Sequence, residues 1–302
     1  MEFQTTSVRT QKENALAVIS GEITYLNEHQ ITVQRKSSEL SGKMAEAIMG
    51  GMISCGAVEA SQITACDPNA SRRSYLKDKY HVLTTANNAS VAKASDILIL
   101  AVKPQTMGHV LENLRPSINK NCLVVSIAAG FTLSQIQEGL GTDTVVRAMP
   151  NTPAAVGRGI TAIVGNAAAS AADLDQAEAL LGAVGQVVRL EDEDQMDAVT
   201  GLSGSGPAYV FHMIECLAAA GEAEGLAPEL AMQLAKATVA GAGALAEAAE
   251  ESPAQLRANV TSPNGTTQAG LEVLMDETTG LSPLIRRTVA AAAARSRELR
   301  DG

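Results

Sequence analysis

Two continuous apolar runs, residues 96–102 and 122–129, limit most strongly what this chain can form. Runs of this length with almost no polar residues are typical of strands that are covered on both faces, as in parallel sheets. Shorter apolar runs alternate with segments of helical spacing between residues 31 and 190. This order predicts right-handed crossovers and a doubly wound parallel α/β sheet.

The expected strands and helices of this sheet follow from the apolar periodicity. The strands are residues 31–33, 63–66, 81–84, 96–102, 122–129, 144–149, 159–164 and 186–190, and the helices include 43–55, 70–80 and 88–94. Residues 15–20 and 22–26 are compatible with a small hairpin about Gly21, but a loose extension is preferred. We therefore expect three parts: an irregular N-terminal extension (1–30), a dinucleotide-binding domain (31–192) and a helical domain (193–302).

The helical part is rich in alanine. Residues 205–250 and 264–300 are predicted to form long helices, with breaks near 225–228 and 252–253. Small residues on helix faces allow close packing and often serve subunit association.

Charge and cysteine usage narrow the class of protein. The net charge of −10 argues against nucleic acid or an anionic membrane as a partner. The four cysteines are scattered without a C-x-x-C pair, so we expect a reducing cytoplasm and neither a disulfide framework nor a zinc site. No apolar run reaches the about 18 residues of a membrane span, and the N-terminus lacks the pattern of a signal peptide.

A dinucleotide fingerprint, G-x-G-x-x-G or G-x-G-x-x-A, is expected in the turn after the first strand. The best register places Leu40 at the first glycine, Gly42 at the second and Ala45 at the terminal small residue. The motif is incomplete because Leu40 stands where a tight turn is needed. The segment from Gly42 through Lys43 and Met44 to Ala45 can still bring helical N–H groups and one positive charge to a cofactor, or it is a loop that packs on the sheet.

Three further turns follow predicted strands. They are Val102-Lys103-Pro104-Gln105, Ala128-Ala129-Gly130 and the segment 147–153. Each can be ordinary turn chemistry, but their succession at one sheet edge favours a cofactor cleft, because ligands bind at the carboxyl ends of such strands.

The polar segment 259–271, N-V-T-S-P-N-G-T-T-Q-A-G-L, precedes a helical apolar pattern. A helix N-terminus in this position can hold a carboxylate or phosphate without Lys or Arg. Capping of the helix by Thr266 or Thr267 is the structural alternative. The segment 202–208, L-S-G-S-G-P-A, is a second hydroxyl-rich helix start, or an interdomain hinge.

Four motifs together resemble one known family. They are A-V-K-P-Q (101–105), R-A-M-P-N-T-P (147–153), L-S-G-S-G-P-A-Y-V-F (202–211) and V-T-S-P-N-G-T-T-Q-A-G-L (260–271). In this order they are similar to those of pyrroline-5-carboxylate reductase. The resemblance implies a Rossmann-type doubly wound parallel sheet, an all-helical C-terminal dimerisation domain, and a homodimer or higher homo-oligomer. It also implies NAD(P)H-dependent reduction of 1-pyrroline-5-carboxylate to L-proline, the last step of proline biosynthesis.

The resemblance also implies roles for particular residues. The substrate carboxylate is expected on the amides of Gly265, Thr266 and Thr267 with Ser262 beside it, the Thr267 hydroxyl at the ring nitrogen as the catalytic group, and Glu250 near the site. Residues expected to bind the cofactor are Gly42, Lys43, Met44, Ala45, Asp67, Asn88, Val102, Lys103, Pro104, Ala129 and Asn151.

Two features depart from the family pattern. Asn264 stands where the family has glycine, which is expected to be harmless because Asn tolerates left-handed backbone angles. Leu40 is the more serious departure, and it leaves a catalytically silent oligomer as an alternative that a glycine at position 40 would rescue. A reductase of another cyclic imine or of a β-hydroxy acid is also open, the latter needing a lysine for which Lys236 is the candidate.

The sequence leaves the choice between NADH and NADPH open. Asp67 after the second strand favours the ribose diol of NADH, whereas Arg72 and Arg73 favour the 2′-phosphate of NADPH. The family resemblance implies NADPH, with NADH as the alternative.

Overall fold

The computed structural model describes residues 16–20 and 39–301. Its strands form one eight-stranded sheet in the order β3-β2-β1-β4-β5-β6-β7-β8. The strands are β1 (Leu16–Ser20), β2 (Ile63–Cys66), β3 (Leu83–Thr85), β4 (Ile97–Ala101), β5 (Leu123–Ser126), β6 (Val145–Met149), β7 (Gly159–Gly165) and β8 (Gly185–Arg189). The helices between them are α1 (Glu39–Ser54), α2 (Ala70–Tyr80), α3 (Asn88–Ala94), α4 (Pro104–Leu114), α5 (Leu133–Leu140) and α6 (Ala171–Leu181).

Strand β1 lies inside the segment for which an irregular extension was expected. It pairs in parallel with β2 on one side and with β4 on the other. Residues 16–19 are at most 2% exposed, as a strand covered on both faces requires. The prediction for residues 1–30 is therefore wrong at 16–20. The strand expected at 31–33 and the hairpin partner at 22–26 lie outside the described residues.

All neighbouring strands are parallel except β6 and β7, which pair antiparallel with Arg147 opposite Val164. The doubly wound parallel sheet predicted from the sequence is thus confirmed apart from the direction of this one pair. The connection between these strands, residues 150–158, holds only the short 3₁₀ helix Thr152–Val156. A parallel pair needs a crossover of roughly a dozen residues or more, so this short connection reverses the chain direction instead.

Two apolar layers cover the two faces of the sheet. Leu16 and Val18 of β1 belong to the layer packed by α1 and α6, whereas Ala17 and Ile19 belong to the layer packed by α3, α4 and α5. Successive side chains of a strand point to opposite faces. The doubly wound arrangement thus depends on central strands with buried apolar residues on both faces, such as β4, which is apolar and buried at every position.

The chain forms two compact units, one extending to Thr200 and taken up again from Ser296, the other comprising Gly201–Arg295. After Thr200 the sheet ends and helices follow, whereas the sequence places the boundary after residue 192. These elements are α7 (Met196–Val199), the π-helical turn Thr200–Gly204, α8 (Gly206–Ala223), α9 (Pro228–Ala248), α10 (Pro253–Asn259), α11 (Thr266–Leu274) and α12 (Leu281–Asp301). Among the described residues, no helix is both long and apolar enough to cross a membrane.

The helix expected over 264–300 is interrupted between Met275 and Gly280. The Asp276 carboxylate accepts the N–H groups of Thr279 and Thr278 at 2.7 and 2.9 Å, and both hydroxyls as well. These bonds, led by the one from the Thr279 N–H, lower the pKa of Asp276 well below its usual range. An ionised aspartate therefore fixes a turn that the apolar periodicity did not reveal.

Candidate active site

The carboxyl edge of the sheet carries the predicted cofactor residues. Asp67 follows β2, Asn88 begins the helix after β3, and Val102, Lys103 and Pro104 follow β4. Ala129 follows β5 and Asn151 follows β6. Because these strands are parallel, their carboxyl ends lie at one edge, so the structure brings these residues to the same side of the sheet.

The turns at this edge are shaped by local chemistry. Pro104 occupies the first turn of α4 with Lys103 as its N-cap, where a missing N–H costs nothing. Gly130 has φ 76°, and a Cβ there would lie 3.2 Å from the Leu299 carbonyl oxygen, so the loop after β5 needs glycine.

Two of the predicted cofactor residues are already engaged. The Asn151 side chain is 8% exposed, and its Oδ1 accepts the Ile160 N–H at 3.0 Å, which stabilises the β6–β7 connection. Asn88 Oδ1 accepts the Cys66 thiol at 2.7 Å. Burial raises the pKa of Cys66 to about 12, so the thiol stays protonated and donates. Val102 is buried, so its side chain serves the core.

The predicted register of the glycine fingerprint is wrong at Leu40. This residue lies in α1, which begins at Glu39, so it does not form the turn after a strand. The strand that precedes α1 is β1, and Gly21 is the residue that follows it in the sequence. The signal that could have located β1 is the apolar run A-L-A-V-I-S, which resembles the other buried strands and has a glycine directly after it.

The remaining fingerprint residues lie in the first turns of α1. Ala45 is buried in the core, and Met44 packs against the same layer. Lys43 is exposed. The Gly42 carbonyl accepts Arg72 Nη2 at 3.0 Å. Ala45 thus fills the role of a small residue for close helix–sheet packing.

The polar loop before α11 belongs to the helical unit. Gly265 is the N-cap of α11, and its N–H donates to the Ser262 carbonyl at 3.0 Å. A Cβ on Gly265 would overlap the Ser262 hydroxyl, so Ser262 lies directly against the helix start. Asn264 has φ 58°, the left-handed conformation expected for it.

The alternative that Thr266 or Thr267 merely caps this helix is wrong. Both threonines lie inside its first turn, and the cap residue makes no side-chain hydrogen bond to the helix start. Both are exposed. The Gly265 N–H is engaged, and the first bond within the helix is donated by Ala269 to the Gly265 carbonyl. The N–H groups of Thr266, Thr267 and Gln268 precede that bond, and a helix start of this kind can hold an anion.

Glu250 has no described contact with the polar loop before α11. It is exposed in the connection between α9 and α10, and within the helical unit no described hydrogen bond or ion pair joins it to Ser262–Thr267. Its role stays a prediction. Lys236, the candidate for a β-hydroxy acid enzyme, is exposed on α9.

The second hydroxyl-rich helix start, residues 202–208, packs closely within the helical unit. Pro207 lies in the first turn of α8, as predicted, and the Tyr209 hydroxyl donates to the Gly201 carbonyl at 3.0 Å. A Cβ on Gly201 would lie 2.9 Å from the Val289 carbonyl oxygen. Close backbone approach therefore explains this glycine.

A mostly parallel sheet with its polar turns at the carboxyl edge, followed by a helical unit whose helix α11 begins with exposed hydroxyl side chains, is typical of an oxidoreductase of the Rossmann type. Residues 41–130 match the family model described as NADP oxidoreductase, coenzyme F420-dependent. Residues 193–299 match the model described as pyrroline-5-carboxylate reductase dimerisation.

The chain is also similar to known proteins of one family. A pyrroline-5-carboxylate reductase of Synechocystis is 46% identical over 258 residues, covering 85% of this chain and 95% of the relative. A solved pyrroline-5-carboxylate reductase structure from Coxiella burnetii superimposes with a TM-score of 0.83 at 35% identity, over 95% of this chain and 99% of that one. The Plasmodium falciparum enzyme with NADP bound gives 0.77 at 26% identity, over 95% and 98%. The chain belongs to the pyrroline-5-carboxylate reductase family.

Proposed function

We propose that this protein reduces the C=N bond of 1-pyrroline-5-carboxylate with NAD(P)H to give L-proline, the last step of proline biosynthesis. The observation that carries the proposal is the helix start at Gly265, with Ser262 against it and two exposed threonines in its first turn. It offers N–H groups and hydroxyls to a small molecule that carries both a carboxylate and a nitrogen.

The chain's own residues bind and orient the substrate. The N–H groups of Thr266 and Thr267 hold the carboxylate at the positive end of α11, and the Ser262 hydroxyl adds a donor. The Thr267 hydroxyl lies at the ring nitrogen, where it donates to or accepts from that atom. When bound, NAD(P)H supplies a hydride, which is added to the imine carbon while the nitrogen keeps a proton. Fixing the ring in one orientation supplies most of the rate, so Thr267 need not be a strong acid.

The reduction assay is direct. Purified protein with NADH or NADPH and 1-pyrroline-5-carboxylate is expected to consume the cofactor and form proline, followed by absorbance and by mass spectrometry of the product. A six-membered cyclic imine carboxylate, assayed in the same way, and a β-hydroxy acid, assayed with NAD⁺ or NADP⁺ because its oxidation releases a hydride, are the comparison substrates. Faster turnover of either comparison substrate, or no proline from folded protein, would sink the proposal.

We propose that the active form is a homodimer or a higher homo-oligomer. Large apolar side chains of the helical unit are exposed in the single chain, including Phe211 at 58%, Leu245 at 56% and Val273 at 76%. Exposed apolar surface of this kind is typical of interaction sites. Sedimentation is expected to give at least twice the chain mass of 31.2 kDa, and a monomer at working concentration contradicts this.

The proposed location is the cytoplasm. All four cysteines, Cys55, Cys66, Cys122 and Cys216, are free thiols. Free thiols persist in reducing compartments. Fractionation of the source cells with an antibody to this chain tests the location, and recovery with a membrane or secreted fraction would contradict it.

A further inference from the structure

A buried aspartate, Asp197, lies in the short helix α7 and is 3% exposed. A carboxylate taken out of water needs hydrogen-bond partners for its oxygens. Asp197 Oδ1 accepts the Ser296 hydroxyl at 2.6 Å, and Oδ2 accepts Arg300 Nη1 at 2.9 Å. Ser296 is itself buried. Both oxygens of this carboxylate are therefore bound to the C-terminal end of α12.

The two partners of Asp197 lie four residues apart on α12, so they share one face of that helix. From Ser296 onward the helix belongs to the compact unit that contains the sheet. A buried ion pair adds little stability over apolar side chains of the same volume, but its charged hydrogen bonds require a defined geometry. The network is therefore suited to holding the end of α12 in one position.

The end of α12 lies against the loop that follows β5, residues 127–132. A Cβ on Gly130 would lie 3.2 Å from the Leu299 carbonyl oxygen and 3.5 Å from the Leu299 Cβ. Leu299 stands between the two residues that Asp197 binds, and Gly130 is buried. The helix end thus forms one side of this loop, and its position depends on Asp197.

The other end of the same loop is held by Glu193, which precedes α7. Glu193 Oε1 accepts the Leu133 N–H at 2.9 Å, where α5 begins after the loop. The same oxygen accepts Nη1 of the buried Arg147 at 2.8 Å, which fixes the carboxylate from β6. The segment 193–197 therefore holds the loop at both ends, directly at Leu133 and through α12 at Gly130.

The loop after β5 lies on one particular side of the cofactor edge. In a sheet with the strand order β3-β2-β1-β4-β5-β6, two mononucleotide-binding halves meet between β1 and β4. The adenosine ribose belongs to the half that begins with β1, so the nicotinamide belongs to the half that contains β5. Hydride transfer depends on the position of that ring, because a misplacement of about 1 Å can cost about a hundredfold in rate.

We propose that Asp197 is a positioning residue for hydride transfer, which acts through the end of α12 to fix the loop 127–132 on the nicotinamide side of the cofactor edge. The inference rests on the proposed function in that both require a nicotinamide cofactor at this edge. Loss of the Asp197 contacts lowers the rate of hydride transfer more than cofactor affinity, because the adenosine and pyrophosphate contacts belong to the other half of the sheet.

Hydrogen exchange of the whole protein, followed by mass spectrometry, tests the position of the loop without an activity assay. Asp197→Asn keeps the size of the side chain and removes the charge that pairs with Arg300. Peptides covering 127–133 are expected to exchange about tenfold faster in this variant, because local opening of the loop becomes easier. Saturation with whichever of NADH and NADPH binds more tightly should protect these peptides less than in the native protein. Peptides from α4 should be unchanged, which separates a local effect from a general loss of stability.

The kinetic counterpart is a difference between rate and affinity. In Asp197→Asn, kcat for imine reduction is expected to fall about tenfold, while the cofactor Kd from calorimetry stays within about threefold. Ser296→Ala removes one hydrogen bond and keeps the ion pair, so it should give the same pattern with a loss in kcat of about threefold. This milder variant keeps the inference testable if Asp197→Asn does not fold.

Asp175→Asn is the control for the change of charge. Asp175 also pairs with an arginine, Arg189 of the edge strand β8, away from the loop after β5. Native loop exchange in Asp197→Asn and Ser296→Ala overturns the inference, as does a loosened loop with native kcat or an equal loss of kcat in Asp175→Asn. If the native protein forms no proline, the proposed function falls, and loop exchange with and without the cofactor still decides the inference.

Discussion

Replacement of Thr267 by alanine is expected to lower kcat/KM for imine reduction about a hundredfold, since removal of one donor at a reacting centre costs roughly 10²–10³ in rate. Thr267 is exposed in the first turn of α11, where its hydroxyl accompanies the N–H groups that we propose as the carboxylate site. Steady-state kinetics with saturating cofactor measures the change. The loss should fall mainly on kcat, because the backbone donors that bind the carboxylate remain.

Two further variants separate chemistry from structure. Thr267→Ser keeps the hydroxyl and should retain activity within about tenfold. Thr288→Ala removes a hydroxyl from α12 of the same unit and should change little, because among the described residues the Thr288 hydroxyl donates to the Leu284 carbonyl of its own helix. A Thr267→Ala enzyme with native kcat would exclude the proposed contact with the ring nitrogen.

The sheet was largely predictable because its strands and helices are marked by short sequence patterns. Strands β4 and β5 are apolar at nearly every position, and their helices start at recognisable signals such as Pro104 and the capping box that begins at Thr132. The edge residues follow from this, because parallel strands end on one side. The antiparallel direction of β7 was not predicted, because it depends on the length of the connection between β6 and β7.

The central strand β1 was missed for a different reason. The turn expected to follow it carries the glycine fingerprint, and in this chain residues 21–38 separate β1 from α1. Because the fingerprint is expected directly after the first strand, the incomplete motif at residues 40–45 led to the prediction of that strand at 31–33. Short-range pattern cannot show that Leu16 pairs with Ile63 and Ile97, because pairing between distant segments is a tertiary property.

The polar loop before α11 was predicted in position but not in its hydrogen bonding. The sequence placed Ser262, Thr266 and Thr267 together, yet it assigned Gly265 a substrate contact that its hydrogen bond to Ser262 already uses. The engagement of Arg72 by Glu46 was equally invisible, since these residues are distant in sequence and meet only when α1 packs beside α2. Local motifs thus locate a site, while the packing of neighbouring elements decides which of its groups remain available.

Restoring the glycine fingerprint requires more than one substitution. Leu40→Gly is expected to leave cofactor affinity unchanged, because position 40 is helical and not a turn. Glycine inside a helix costs about 1 kcal/mol relative to alanine, so this variant should only weaken the start of α1. A gain in NADH affinity from Leu40→Gly would show that position 40 is the first glycine position after all.

Deletion of residues 22–40 is expected to tighten NADH binding about tenfold or more, measured by calorimetry beside the native chain. Read across the deletion, the sequence after β1 becomes Gly21-Ser41-Gly42-Lys43-Met44-Ala45, a complete G-x-G-x-x-A, and the family match begins at residue 41. Shortening the connection from 18 residues to one is about four halvings of length, and at about 0.6 kcal/mol each the closure entropy alone could exceed a tenfold effect. The same deletion carrying Gly21→Leu has the same length without the first glycine and is the matched control. A tenfold difference between the two deletion variants is expected if the glycine backbone and the first turn of α1 meet the pyrophosphate together, whereas equal NADH affinities would show that the gain is entropic.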